Sequence, residues 1–160
     1  MNIFRIFPVV SLLTLVAGAV LAGNPAAIAV SQPWVRALPP TMNRTAAYMT
    51  LINRGDATAE VVGGRAELAQ TVEIHTTRDV DGYRRMEQLD SISIAPDQRV
   101  RLQPGGTHLM LLGLSRMPAA GETLPLCVGL ASGAEVCTVA QVRTAAGRQS
   151  EPGHHHQHQK

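Results

Sequence analysis

The sequence predicts an all-β domain built as an antiparallel sandwich of two sheets. Short segments in which apolar residues alternate with polar ones, or follow one another, recur along the chain. Turn-forming stretches separate these segments, among them NRGD, VDG, APD, QPGG, AAGE and ASG. The periodicity of an amphipathic helix persists nowhere in the sequence for more than about one turn. Many short strands at this spacing are typical of two-sheet sandwiches.

Ten segments are predicted to be strands, because each alternates or is continuously apolar between turn signals. In chain order they are WVRA (34–37), AAYMTLIN (46–53), AEVVGG (59–64), QTVEIHTT (70–77), GYRRMEQL (82–89), SISI (91–94), QRVRLQ (98–103), THLMLLG (107–113), TLPLCVGL (123–130) and EVCTVAQV (135–142). Both phenylalanines precede residue 23. The core is therefore expected to consist of Val, Leu, Ile and Ala.

Residues 1–22 have the features of a secretory signal peptide. Arg5 supplies the positive charge, an apolar run follows, and small residues end at Ala22. Cleavage after Ala29 is an alternative, but Ile28 and Val30 alternate like the start of a strand. A membrane anchor is another alternative, although the run is short for a span. We expect an exported protein without stable membrane insertion after cleavage, with a folded domain at 23–146 and a flexible tail at 147–160.

The charge of the chain is nearly balanced once the signal peptide is removed. Thirteen basic and 12 acidic side chains remain, and neither sign forms a run. The sequence therefore gives no indication of a nucleic acid or an anionic membrane surface as partner.

The two cysteines, Cys127 and Cys137, suit an oxidising compartment. If residues 131–133 form a three-residue hairpin loop with Gly133 in the left-handed conformation, the cysteines lie directly opposite each other. Opposed residues of an antiparallel pair are close enough for a disulfide. The alternative is a redox-active dithiol, but that chemistry usually uses the close spacing C-x-x-C. We predict a structural disulfide.

Histidine and methionine are paired in the segment THLMLLG. Leu109 and Leu111 share one face of the predicted strand and can serve the core. His108 and Met110 share the other face, which we expect to be outward, at about 7 Å from each other. Both side chains are long enough to converge on one atom.

A second histidine–methionine pair is predicted upstream. His75 faces away from the apolar Ile74, and Met86 lies on the following strand. A four-residue loop at 79–82 would place Met86 directly opposite His75, whereas a two-residue turn at 81–82 would place it on the diagonal. Both registers leave the two side chains on one face, within about 5–8 Å.

Imidazole and thioether together favour copper. Thioether sulfur is soft, selects Cu(I) over Zn, Ca or Mg, and needs no deprotonation. The alternative is that a strand methionine fills the core and a surface histidine has no function. The domain has only two histidines before its tail, however, and each is predicted to have a methionine nearby. For His108 the methionine is two residues along the same strand, and for His75 it is on the next strand.

The spacing His75-x10-Met86-x21-His108-x-Met110 resembles the copper-binding motif of the periplasmic copper chaperones called the PCuAC family. The stretch PGGTHLMLLGL also resembles that family's most recognisable segment. PWVRALPP and AAYMTLINRGD are similar to its N-terminal segments. The similarity extends from about residue 28 to residue 142, which is the whole predicted domain.

This resemblance implies a cupredoxin-like antiparallel β-sandwich of Greek-key type in the periplasm. It implies an exposed Cu(I) site made by His75, Met86, His108 and Met110. It further implies delivery of copper to the binuclear copper centre of cytochrome c oxidase, through that oxidase subunit, a Sco-type thioredoxin-fold protein, or both. The two cysteines are not part of the family's motif.

The tail offers a second set of metal ligands. Clustered imidazoles in a polar segment bind Cu(II), Ni(II) or Zn(II). The histidines concerned are His154, His155, His156 and His158. A purification tag is the alternative, but Gln157 interrupts the run. We therefore expect an accessory Cu(II) site that could pass copper to the folded domain.

The function predicted from the sequence is metal transfer rather than catalysis. A copper-dependent redox protein is one rival hypothesis, but an electron-transfer copper site usually includes a cysteine ligand. A thiol–disulfide redox protein that uses Cys127 and Cys137 is a second, and a sandwich that binds no metal is a third.

Overall fold

The computed structural model describes residues 28–145, which form ten β-strands. They are β1 (Ile28–Arg36), β2 (Arg44–Asn53), β3 (Ala59–Ala66), β4 (Thr71–Val80), β5 (Tyr83–Leu89), β6 (Ile92–Ile94), β7 (Arg99–Leu102), β8 (His108–Leu112), β9 (Thr123–Leu130) and β10 (Glu135–Arg143). This part of the chain contains no helix, and so none that could cross a membrane. The ten predicted strands are confirmed, with shifted ends. The predicted signal peptide and histidine-rich tail lie outside the described residues.

The strands form one continuous sheet that folds around the core. Its order is β5-β4-β8-β2-β1-β10-β9-β3-β6, and β7 pairs with β2 beyond the end of β8. A pairing of Gly64 with Val72 joins β3 to β4 and closes the path. All pairs are antiparallel except β1 with β10, which are parallel. The predicted all-β, cupredoxin-like sandwich is confirmed, with that one parallel pair as a departure from the antiparallel expectation.

The core is aliphatic, as the composition predicts. Leu109 and Leu111 are fully buried, and Ile74 is 1% exposed, so the inward faces assigned to β4 and β8 are confirmed. Burying one such side chain contributes about 1.5–3 kcal/mol. The largest buried apolar side chains are Leu51, Ile74, Ile94, Leu102, Leu109, Leu111 and Leu126. The alternation on β4 and β8 thereby fixes which side chains point away from the core and toward the candidate site.

The β9–β10 hairpin has the predicted three-residue loop. Leu130 and Ala134 close it through a hydrogen bond from Leu130 N–H to the Ala134 carbonyl oxygen, at 2.9 Å. Gly133 adopts φ 85°, a conformation that glycine accepts without steric cost. Cys127 and Cys137 are therefore direct partners, and their sulfurs are bonded to each other. The predicted disulfide is confirmed.

Candidate metal centre

The two histidines of the described domain lie opposite each other on adjacent strands. His75 of β4 is paired with His108 of β8 in the antiparallel register. Their ring centroids are 6.2 Å apart. This register is fixed by the neighbouring Ile74–Leu109 pair, because a slip of one residue would turn both buried side chains out of the core.

His108 is held as a neutral imidazole with one nitrogen available. Its Nδ1–H donates to the carbonyl oxygen of Gly106 at 2.9 Å, so Nε2 keeps its lone pair. Burial lowers the pKa of His108, and the charges of His75 and Arg36 lower it further, while the hydrogen bond to Gly106 opposes them. A neutral imidazole is the form that binds a metal ion.

The expectation that His108 faces outward is wrong. Its side chain does point away from Leu109, but His108 is only 4% exposed. The ring of Tyr48 on β2 lies 6.1 Å from the His108 ring, and the Arg36 guanidinium lies 5.4 Å from the Tyr48 ring centre. Alternation along a strand predicts toward which side of the sheet a side chain points. Whether that side chain is exposed to solvent depends on residues from other strands.

His75 also has one nitrogen that remains available. Its Nε2 lies 2.8 Å from Oε2 of Glu73, and because a carboxylate oxygen only accepts, Nε2 carries the proton. The other nitrogen, Nδ1, is buried and has no hydrogen-bond partner among the described residues. Histidines that ligate metals commonly donate their second N–H to a carboxylate in this way. An unpartnered buried nitrogen is costly unless a ligand fills its place.

Met110 lies on the same face of β8 as His108. It is half-buried, opposite Glu73 of β4 on one side and Ala46 of β2 on the other. The Met110 side chain therefore adjoins the carboxylate that orients His75, and the pair predicted from THLMLLG is retained on one face.

Met86 is brought to this face by a two-residue turn. Val80 pairs with Tyr83, and the intervening Asp81 and Gly82 both have positive φ, at 54° and 78°. This conformation matches the twist of a tight hairpin. Met86 consequently lies opposite Thr77, on the diagonal from His75, which is the second of the two predicted registers. It is 52% exposed and is thus accessible from solvent.

Three of the four predicted ligands share one cavity of about 500 Å³. Met86, His108 and Met110 line it, and His75 adjoins them from β4. Sequence reasoning did not place the third methionine there: Met42, in the β1–β2 loop, also lines the cavity and is 38% exposed. No spacing rule links Met42 to the motif, because the contact depends on the path of a loop.

The disulfide belongs to a different part of the fold. Cys127, Cys137 and the carboxylate of Glu135 lie close enough together to resemble a metal-binding group. Both sulfurs are used by the disulfide, however, and Arg65 pairs with Glu135 at 2.8 Å. No thiolate is therefore available at this cluster. The tail histidines His154, His155, His156 and His158 lie outside the described residues.

Comparisons with known proteins place this fold and motif in one family. The family model "Putative lipoprotein LpqE-like" matches residues 28–142. "Putative lipoprotein Lxx21020" of Leifsonia xyli subsp. xyli is 31% identical over 121 residues, which cover 75% of this chain and 72% of that protein. The residues that the family model matches include all four predicted ligands of the folded domain.

Solved structures agree with this assignment. The solution structure of CuI-DR1885 from Deinococcus radiodurans superposes with a TM-score of 0.60 and 31% identity, covering 80% of this chain and 85% of that one. The copper-bound PCuAC domain from PmoF2 gives a TM-score of 0.62 and 25% identity, covering 74% of this chain and 93% of that one. The chain belongs to the PCuAC family, which the LpqE-like model describes.

Proposed function

We propose that this protein is a copper chaperone that binds one Cu(I) ion through His75, Met86, His108 and Met110. The observation that carries the proposal is the pair of adjacent imidazoles. In each ring one nitrogen is fixed by a hydrogen bond, and the other nitrogen has a lone pair that it can offer to a metal ion. Two thioethers lie on the same face. When imidazole and thioether groups bind a metal ion they are neutral ligands, unlike thiolates or carboxylates.

The donor set favours Cu(I) over other biological metals. Thioether sulfur is a soft ligand, and imidazole suits copper, whereas Mg and Ca prefer oxygen. Four neutral ligands leave the bound ion with its single positive charge, which limits the strength of the hold and suits release. The exposure of Met86 gives an incoming ligand from a partner a route to the metal.

The names of two solved relatives support the choice of metal. One is a copper-bound PCuAC domain, and the other is a CuI form of DR1885. Both resemble this chain over most of its described length. We propose that this chain binds copper, as those names state of the two relatives.

We further propose that the protein is exported and acts by transfer rather than catalysis. Residues 1–22 would be removed as a signal peptide. Cleavage after Ala22 is compatible with the fold, whereas cleavage after Ala29 would remove Ile28, which starts β1, pairs with Asn53 and is 4% exposed. The family resemblance supports the periplasm as the compartment.

The proposed recipient is the binuclear copper centre of cytochrome c oxidase, reached directly or through a Sco-type thioredoxin-fold protein. The tail histidines would hold Cu(II) as an accessory site. The rival thiol redox function would use Cys127 and Cys137, which are ten positions apart across the β9–β10 hairpin and outside the set of residues that lines the cavity. That function usually uses the close spacing C-x-x-C, which this pair lacks.

Copper titration of the chain with and without residues 147–160 tests this function. We expect one Cu(I) per molecule in the tail-deleted form and additional Cu(II) only in the full-length form, because one ligand set contains sulfur and the other does not. A tail-deleted domain that is folded and binds no Cu(I) would contradict the proposal.

A further inference from the structure

Two cavities adjoin on the metal-binding side of the molecule. The first is lined by three of the four proposed copper ligands, and the second, of about 700 Å³, lies beside it. Arg36 and Pro104 line both cavities, so the two are neighbours and make up one region of the surface. Trp34, the only tryptophan of the chain, lines the second cavity.

Arginines are concentrated around this region. They come from five different strands, and together we call them the arginine surface: Arg36, Arg44, Arg84, Arg101 and Arg143. Among residues 28–145, no carboxylate lines either cavity. Residues 28–145 contain 11 arginines and 11 carboxylate side chains, so their formal charge is balanced without the histidines. The fold therefore separates charge that is mixed along the sequence.

The arginine surface is not neutralised by the rest of the described domain. The ion pairs of residues 28–145 that involve arginine use Arg65, Arg78 and Arg116. Within those residues, the arginine surface has no carboxylate oxygen within 4.0 Å of a guanidinium nitrogen. Clustered like charges that lack counter-charges create a positive potential, which attracts an acidic partner.

Two arginines of this surface are held at the mouth of the metal cavity. Arg84 donates from Nη2 to the carbonyl oxygen of Gly105 at 3.1 Å, next to the loop that binds His108. Arg36 stacks over Tyr48, and its buried Nε has no hydrogen-bond partner in the described part of the chain. Guanidinium groups held in place offer further N–H donors to carboxylates, often in bidentate geometry.

We propose that the arginine surface docks an acidic surface of the protein that exchanges copper with this domain. The inference rests on the proposed function, since it supplies the chemistry of the partner for the same site. A ligand from the partner must reach the metal cavity for exchange to occur, and three of these arginines, Arg36, Arg44 and Arg84, line that cavity, while the other two line the cavity beside it. The region is concave, which suits a protruding protein segment better than a flat lipid headgroup layer. Complementary charge accelerates such encounters and orients them.

Two matched double variants test this proposal in the full-length mature chain. Arg44→Gln/Arg101→Gln removes two exposed charges from the arginine surface. Arg54→Gln/Arg85→Gln removes two exposed charges that line neither cavity, and Arg85 lies on the opposite face of β5 from Arg84 and Met86. The probe is a fluorescent oligo-glutamate peptide, and its anisotropy gives the affinity. Circular dichroism checks that each variant is folded.

We expect the parent to bind the peptide and the Arg44/Arg101 variant to bind it about fivefold more weakly, while the Arg54/Arg85 variant stays much closer to the parent affinity. Raising the ionic strength from about 0.01 M to about 0.15 M shortens the Debye length from ~30 Å to ~8 Å and should weaken the binding. Equal losses in both variants, or no binding by the parent, would overturn the proposal.

Two further measurements separate this inference from its alternatives. Vesicles of phosphatidylglycerol are tested beside the peptide, and binding to vesicles without binding to the peptide would overturn the proposal in favour of a lipid surface. Cu(I) stoichiometry is measured on the same samples. A parent that binds the peptide through Arg44 and Arg101 but takes up no Cu(I) would contradict the proposed function and leave the acidic docking surface supported.

Discussion

Replacing Met110 by leucine separates metal binding from packing. Met110 is half-buried between Ala46 and Glu73, and it lines the metal cavity. Leucine has nearly the same volume as methionine, so the unfolding free energy of the apo-protein should fall by less than about 1.5 kcal/mol. Leucine has no donor atom, so the thioether of one proposed ligand is lost completely.

The expected loss of Cu(I) affinity is at least comparable, in free energy, to the largest expected loss of stability. Removing a group that only orients a metal ligand typically weakens metal binding by about 10–100-fold. Removing a ligand should cost at least about tenfold, which corresponds to about 1.4 kcal/mol. Competition with a chromophoric Cu(I) chelator measures the affinity, and urea unfolding of the apo-protein measures the stability of the same preparation.

Met49 provides the matched control. It lies on β2, is 3% exposed and packs in the aliphatic core. Met49→Leu should therefore leave Cu(I) affinity unchanged, whatever its small effect on stability. If Met110→Leu bound Cu(I) like the parent while its apo-form unfolded much more readily, Met110 would be a packing residue and its assignment to the site would be refuted.

Two other variants test the disulfide and the carboxylate beside His75. The double variant Cys127→Ser/Cys137→Ser should lose about 2–3 kcal/mol of unfolding free energy, since the closed loop is short, and should keep its Cu(I) affinity. A large loss of Cu(I) affinity in a variant that is still folded would place the cysteines in the metal site. Glu73→Gln keeps the shape of the side chain but removes the charge beside His75 Nε2, and we expect about tenfold weaker Cu(I) binding. Glu87→Gln, which alters an exposed carboxylate paired with Arg78, is the control, and equal effects would argue against His75 as a ligand.

Local patterns predicted most of the fold because they report on one strand at a time. Alternation correctly placed Leu109 and Leu111 in the core and located the β9–β10 hairpin. The alternation of Ile28 and Val30 indicated where β1 starts, but the segment predicted as a strand began only at Trp34, so the stretch between them was not joined into one strand. Pro33 interrupts the pattern, and the β1–β2 register shifts between Ser31 and Trp34, an irregularity that lets proline occur within the strand.

Features that depend on distant strands could not be predicted. The parallel pairing of β1 with β10 joins the two ends of the domain. The covering of His108 by Tyr48 and Arg36 depends on how β1 and β2 lie against β8. The arginine surface, likewise, collects single residues from five strands, so the sequence shows no basic run even though the fold has a basic face.

The motif itself was predictable, but its exact register was not. Spacing placed His75 and Met86 on one face with two alternatives, and the choice depended on whether the β4–β5 connection had two or four residues. The positive φ values of Asp81 and Gly82 belong to the two-residue turn. Pairing of His75 with His108 required the β4–β8 register, which the sequence pattern does not contain.

X-ray absorption of the Cu(I)-loaded, tail-deleted domain tests the central claim most directly. The proposed site, with His75, Met86, His108 and Met110 as ligands, predicts both sulfur and nitrogen scattering from the first coordination shell. The Met110→Leu variant provides the comparison, and its sulfur contribution should decrease. A shell of nitrogen and oxygen alone in the parent domain would contradict a copper site built from thioether and imidazole.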